Sequence, residues 1–252
     1  MRNLFQKSKH SLKWKSGFGI AGRLAIAAAV MASGVYASSI IVPTGLAPGS
    51  TYRLVFVTDE IYTASDATIG DYNTLVNNDA DAVAALAALG TTWTVIASTS
   101  SVNAITNIGQ DAGIPIYNLD GLEVAGDATT SSGGMFSGSL MNGISYDENG
   151  NFLSTLVWTG TGSSGTANGF YLGGAFPTFG ASAPSFASSA DWIQYSQSAN
   201  STDYSLYAIS GELTVPSSGT PEPATTGMVT IGIAFLYLVA RRRRRTGHAI
   251  CH

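Results

Sequence analysis

The chain has 252 residues, is 45% hydrophobic and only 11% charged, and carries a formal net charge of −4. Its basic residues cluster towards the two ends: between residues 24 and 240 the one cation is Arg53, and that stretch contains no Lys, His or Cys. The middle of the chain therefore lacks the cations to neutralise a run of phosphates, the thiols for an internal disulfide, a His base, Cys nucleophile or Schiff-base Lys, and the N and S ligands of a zinc site; neither nucleic-acid binding nor enzymatic activity is expected.

Residues 1–37 read as a secretory signal peptide. A basic stretch from Met1 to Arg23 leads into an apolar run, Leu24 to Ala32, and then into small residues and the A-x-A-like Val35-Tyr36-Ala37. Cleavage is expected between Ala37 and Ser38, because the apolar run falls well short of the roughly 20 residues a spanning helix needs.

Residues 38–215 read as one extracytoplasmic domain, long enough for a real core. Thr51–Val57 is β-branched and aromatic and predicts a strand. Ile69–Leu89 is the best helical window, with acids towards its start, Val83, Leu86 and Leu89 at helical spacing, and Gly90 as its stop. Thr92–Ala97 predicts a second strand. Pro115–Leu119 and Leu122–Ala125 flank Asp120-Gly121, a hairpin-turn pair. Leu153–Trp158 predicts another strand, entered through Asp147-Glu-Asn-Gly-Asn151. Gly160–Ser189 is rich in Gly and Ser and predicts long loops, Asp191-Trp-Ile193 a short helix or turn, and Tyr204–Val215 the closing strand. Helices early and strands later argue for the α+β class, with the first and last strands paired.

The linker 216–220 precedes three segments in a fixed order, which together span 221–245. Pro221-Glu222-Pro223 comes first, an apolar stretch over 226–240 second, and a block of five arginines third (Arg241, Arg242, Arg243, Arg244 and Arg245), with 246–252 as a short tail. The Arg block would stay cytoplasmic and the Pro-rich segment would lie outside. At about 1.5 Å per helical residue the apolar stretch is a short transmembrane helix that needs snorkelling Arg side chains and a locally thinned bilayer.

This ordered combination resembles the PEP-CTERM sorting signal. The resemblance implies a membrane-anchored precursor, export through the general secretion machinery, recognition by an exosortase, removal of the tail, and delivery to the cell surface or a polysaccharide matrix. The stretch from Tyr117 to Ala125, Asp147–Asn151, Val157-Trp-Thr-Gly160, Trp192 and Leu206-Tyr-Ala-Ile209 together resemble bacterial surface domains of C-type-lectin-like or endostatin-like fold. The Cys positions common in that fold are absent here, as are the Glu-Pro-Asn, Gln-Pro-Asp and Trp-Asn-Asp triplets that carry calcium in sugar-binding lectins.

Two constellations could carry binding chemistry. Asp147, Glu148, Asn149 and Asn151 place hard oxygen ligands of the kind calcium prefers on one turn, although the spacing is not that of an EF-hand loop and also suits a plain polar hairpin. Aromatics can stack on sugars, and Trp93, Trp158 and Trp192 are candidates with the loop aromatics: Trp93 and Trp158 sit at strand positions and read as core, whereas Phe170, Tyr171, Phe176 and Phe179 lie in the Gly-rich stretch and are the candidate ligand surface. Arg53 is expected to pair with a neighbouring carboxylate across strands, the alternative being an anchor for an anionic ligand.

The expectation is a non-enzymatic exported surface or matrix protein with a structural or adhesive role beside extracellular polysaccharide. A carbohydrate- or calcium-binding module is the alternative, and a carboxylate-dependent hydrolase a third. From Ser38 to Thr220 one arginine stands against fifteen acids, so the exported part carries a formal charge of −14.

Overall fold

A computed structural model describes residues 42–216. The expected signal peptide, with its cleavage position at Ala37 and Ser38, lies outside the described residues. So does the expected sorting segment, with Pro221, Glu222 and Pro223 and the cluster Arg241, Arg242, Arg243, Arg244 and Arg245. Within the described residues the chain is an α+β domain built on one mixed sheet of nine short strands. No described helix is long and apolar enough to cross a membrane.

The strands are β1 (Thr51–Val57), β2 (Trp93–Val95), β3 (Ile116–Asn118), β4 (Glu123–Ala125), β5 (Leu156–Trp158), β6 (Thr178–Ala181), β7 (Ser196–Gln197), β8 (Ser205–Ser210) and β9 (Leu213–Thr214); the helices are α1 (Ile69–Ala82), α2 (Ala84–Ala87) and α3 (Ala104–Asn107). The sheet runs β4-β3-β1-β8-β5-β6-β7, with β2 beside β8 and β9 beside β1. β1 meets β8 antiparallel, with Val55 opposite Ile209 and Val57 opposite Tyr207. On its other edge β8 is shared: its first residues pair parallel with β5, and its last pair antiparallel with β2. β9 returns to the start of β1, Tyr52 opposite Leu213, so the first and last strands are paired.

Every residue of β8, and every residue of β1 except Thr51, is buried. Alternation therefore sorts two apolar faces rather than an apolar and a wet one. Val55, Val57, Val157, Tyr207 and Ile209 join one core, which is closed by Ile105, Met135, Phe136, Ile144 and Trp192 from largely irregular segments. Leu54, Phe56, Trp93, Trp158, Leu206 and Ala208 join the other, closed by Tyr72, Val76 and Ala80 of α1 and by Leu86.

The helical window divides where one helix was expected. Val83 is extended (φ −96°, ψ 111°) and separates α1 from α2. An unbroken helix would carry Val83 and Ala87 to the face of Val76 and Ala80 and turn Leu86 aside; the break lets Leu86 reach full burial. The Asp120-Gly121 hairpin forms as expected, with Gly121 at φ 81° and the side-chain oxygen of buried Asn118 accepting from the Asp120 and Leu122 amides. The predicted loop stretch Gly160–Ser189 differs from expectation, because it contains β6. Gly180 hides that strand: a Cβ there would lie 2.0 Å from the Trp192 carbonyl oxygen, so only glycine permits the approach.

β2 has a strand on one edge only, and α1 closes the other. The side-chain oxygen of Asn77 accepts from the Trp93 amide at 2.9 Å. That of Asn73 accepts from the Val95 amide at 2.9 Å, and Asn107 donates to the Val95 carbonyl at 2.9 Å. Asn73 and Asn77 stand one helical turn apart, so they reach alternate residues of the strand. Removing both leaves two half-buried N–H groups unpaired. Asn73→Ala with Asn77→Ala should lower unfolding stability by about 2–5 kcal/mol in chemical denaturation, whereas Asn78→Ala, on an exposed neighbour, should stay within about 0.5 kcal/mol.

Candidate functional site

The turn after Tyr146 holds the four residues expected as calcium ligands, and the structure separates them into two pairs. Asp147 and Asn151 serve the turn itself: the Asp147 carboxylate accepts from the Asn149 amide at 2.9 Å, the Asn151 amide at 2.8 Å and Asn151 Nδ2 at 3.2 Å. Glu148 and Asn149 reach instead to the end of β1. Glu148 Oε2 accepts from the Asp59 amide at 3.1 Å, and Asn149 Nδ2 donates to Asp59 Oδ2 at 3.3 Å. Among the described residues no group of three or more His, Cys, Asp or Glu is placed to hold a metal ion. Asp59 belongs to this corner through a contact across 89 residues, which no local signal in the sequence announces.

The electrostatics of the corner follow from its lack of a cation. Arg53, itself 3% exposed, is committed elsewhere: Nη1 pairs with Asp111 at 2.9 Å, and Nε donates to the Ser210 carbonyl at 2.7 Å. The partner is a carboxylate, as expected, but it comes from the loop before β3 rather than from across a strand pair, and burial draws the guanidinium below its ordinary value. Glu148 is buried, and burial together with the Asp59 carboxyl pushes it up to about 8. Asp79 is also raised, by burial first and by Glu60 and Asp59 next, against a lowering hydrogen bond from Tyr62. Tyr62 donates its hydroxyl to both Asp79 oxygens, at 2.7 and 2.8 Å. At about 8, the Glu148 carboxyl retains its proton at neutral pH.

The expected aromatic surface also divides. Phe170 and Phe176 are exposed, at 45% and 61%, and Tyr171 is half-buried. The loop bearing them is closed at its base by the Thr178 amide donating to the Phe170 carbonyl at 2.7 Å. Phe179 is a correction: it is 7% exposed and packs against Trp158 at 6.2 Å, Tyr204 at 5.0 Å and Tyr195 at 5.9 Å between ring centroids. It sits in β6 next to Thr178, and a strand buried on both sides leaves it no route to solvent. Trp93 and Trp158 are core, as expected, and Trp192 is buried with them. Tyr195, half exposed at 50% and edge-packed on Phe186 at 5.2 Å, extends this aromatic array to the surface. Its neighbours Gln194, Ser196 and Gln197 are polar, so no local sequence signal singles it out.

No protein-family model and no curated protein matches this chain.

The carboxyl corner predicts a pH dependence. The Glu148 value is raised on folding, so its contribution to stability is fully present below the unfolded value of 4.5 and is lost as pH rises towards about 8. In thermal unfolding across that range, the advantage of wild type over Glu148→Gln should shrink steadily with rising pH. A difference that stays constant would mean that Glu148 titrates normally.

Proposed function

We propose that this chain is an exported cell-surface or extracellular-matrix protein, sorted through a PEP-CTERM-type signal and serving a structural or adhesive role within a polysaccharide layer. The observation that carries the reading is the ordered run of Pro221-Glu222-Pro223, the apolar stretch 226–240 and the five arginines from Arg241 to Arg245 after the folded domain. The domain supports it. Its one described arginine is buried in an ion pair, while Asp59, Glu60, Asp66, Asp71, Asp81, Asp120, Asp203 and Glu212 are exposed, so its surface carries negative formal charge alone. Such a surface favours solubility and association with counter-ions over self-collapse. Inner-membrane anchoring followed by exosortase processing is the route this reading implies. The finer fold reading, a C-type-lectin-like domain, is supported by the paired first and last strands and by the loop-rich segments between β5 and β8.

A second reading, a carbohydrate- or calcium-binding module, rests on Phe170 and Phe176, two exposed rings on one closed loop. Replacing Pro221, Glu222 and Pro223 by Ala should leave uncleaved precursor in the membrane fraction; unchanged processing would refute the sorting proposal. For the second reading, calorimetric titration of the chain with calcium and with host polysaccharide should show saturable heat that Phe170→Ala with Phe176→Ala reduces about tenfold or more in affinity. Saturable binding would exclude a purely structural role, and its absence would leave the structural role as the reading.

A further inference from the structure

The described residues hold three Asn-Gly pairs: Asn142-Gly143, Asn149-Gly150 and Asn168-Gly169. In such a pair the glycine nitrogen can attack the side-chain carboxamide of the asparagine, because no Cβ on the glycine stands in the way. The attack asks three things of the fold. The glycine N–H must be free to give its proton to water. The carboxamide carbon must be held beside that nitrogen. The carboxamide oxygen, which turns negative as the nitrogen adds, needs donors aimed at it.

Asn149 is the most exposed of the three, yet the Gly150 N–H is tied to the Asp147 carbonyl at 2.9 Å. The side chain of Asn149 donates to Asp59, and no described group donates to its oxygen. Asn142 is held by its amide, which donates to the Glu123 carbonyl at 2.7 Å. Gly143 beside it is buried away from water, and its carbonyl accepts from Asn118 at 3.2 Å.

Asn168 meets all three demands. Gly169 is exposed, its N–H makes no hydrogen bond among the described residues, and a Cβ on it would meet nothing within 4 Å. Asn168 Oδ1 accepts from the Phe170 amide at 3.2 Å and from Thr178 Oγ1 at 3.3 Å. The first bond closes a turn-like ring that contains both Asn168 Cγ and the Gly169 nitrogen, so the reacting atoms are kept as neighbours. Both donors face the oxygen on which charge collects. They are set in advance, because the Thr178 amide donates to the Phe170 carbonyl at 2.7 Å and Thr178 is buried in β6.

We propose that Asn168 is a self-modifying residue, converted by water alone to aspartate and isoaspartate. Gly169 N gives its proton to water and bonds to Asn168 Cγ. The Cγ–Nδ2 bond breaks, and Nδ2 takes up a proton and leaves as ammonia. Water then adds to either carbonyl of the cyclic imide and opens it. One water enters for each ammonia lost, and nothing is oxidised or reduced. The product places one negative charge in residues 160–178, a stretch with no charged side chain. In the aspartate form the carboxylate keeps both donors. In the isoaspartate form the main chain gains a methylene before Gly169, which displaces Phe170 relative to Thr178. The change therefore acts on the loop of Phe170 and Phe176, however the chain is sorted.

The test incubates the full chain in detergent micelles at mildly alkaline pH, with a parallel sample in urea. Chymotryptic peptides are followed by mass spectrometry for the gain of a single mass unit and for isoaspartate. In urea the three pairs should react at similar rates. In the folded chain Asn168 should outpace Asn149 and Asn142 by about tenfold or more. Thr178→Val, which removes one donor, should slow Asn168 about tenfold and leave Asn149 unchanged, whereas Thr178→Ser, which keeps the hydroxyl, should react as wild type does. The proposal falls if Asn149 or Asn142 matches Asn168 in the folded chain, if Asn168 stays intact after the urea sample has converted, or if Thr178→Val folds and reacts at the wild-type rate. A Thr178→Ser chain as slow as Thr178→Val overturns it too, because packing rather than the hydroxyl would then set the rate. Unfolding of Thr178→Val would show as Asn149 reaching its urea rate; the wild-type ranking and Thr178→Ser then decide.

Discussion

The structure depends on satisfying buried polar groups almost without charge. Buried backbone N–H and C=O groups must be paired, and this domain has one described cation and no Lys, His or Cys with which to do it. Neutral side chains take over. Ser98 Oγ accepts from the Ala104 amide and from Thr161. Asn103 accepts from the Ala167 amide, and Thr58 Oγ1 from the Leu206 amide. Ser182 bonds to both Leu153 and Thr155, and Ser145 donates to the Ser182 carbonyl. The one described cation makes such a bond where the β1–β8 ladder ends: past Val55 and Ile209, Arg53 Nε reaches the Ser210 carbonyl and Ser210 Oγ receives the Leu54 amide. A chain poor in charge but rich in Asn, Ser and Thr can thereby hold long irregular segments in one conformation.

The same shortage of cations sets the chemistry of the acidic corner. Had a lysine or arginine stood beside Glu148, the carboxylate would be ionised and the turn at Asp147–Asn151 tied to β1 by an ion pair. With Asp59 as its neighbour and water largely excluded, the group keeps a proton instead. Asp127 shows the opposite outcome within the same domain. Burial acts on it too, but hydrogen bonds from Thr129 and from the Gly113 and Thr129 amides outweigh that effect and hold it below the ordinary carboxylate value. At Asp127 hydrogen-bond donors outweigh burial, whereas at Glu148 burial and the second carboxyl prevail.

Features that depend on neighbours in sequence were legible. β1 coincides with its expected range because seven consecutive residues share one character. The β3–β4 hairpin follows from Asp120-Gly121, and the Asp147–Asn151 turn from its polar run. Features set by distant contacts were not legible. β6 contains Gly180 because Trp192 passes over it, and without that strand Phe179 cannot be told from Phe176. The break at Val83 reflects where Leu86 must go, a demand made by the sheet and invisible in the helical periodicity. The corner pairs Glu148 with Asp59 across the sequence, so its turn could be read but the reach of Glu148 out of that turn could not.

A sheet buried on both faces also constrains where a ligand can sit. α1 covers one face, and the segments carrying Ile105, Met135, Phe136 and Ile144 cover the other, so no open sheet surface is left to form a binding platform. Open positions lie at the rim: the outer edge of β2, the loop with Phe170 and Phe176, the end of the sheet at β7 with Tyr195, and the turn beyond β1. Two of these present exposed aromatic rings, and the groove beside β2 presents side-chain amides and hydroxyls without charge. The acids, by contrast, are spread over the surface around them. A charged polymer of the same sign would be repelled before it reached any of these positions, whereas an uncharged chain would have only water to displace.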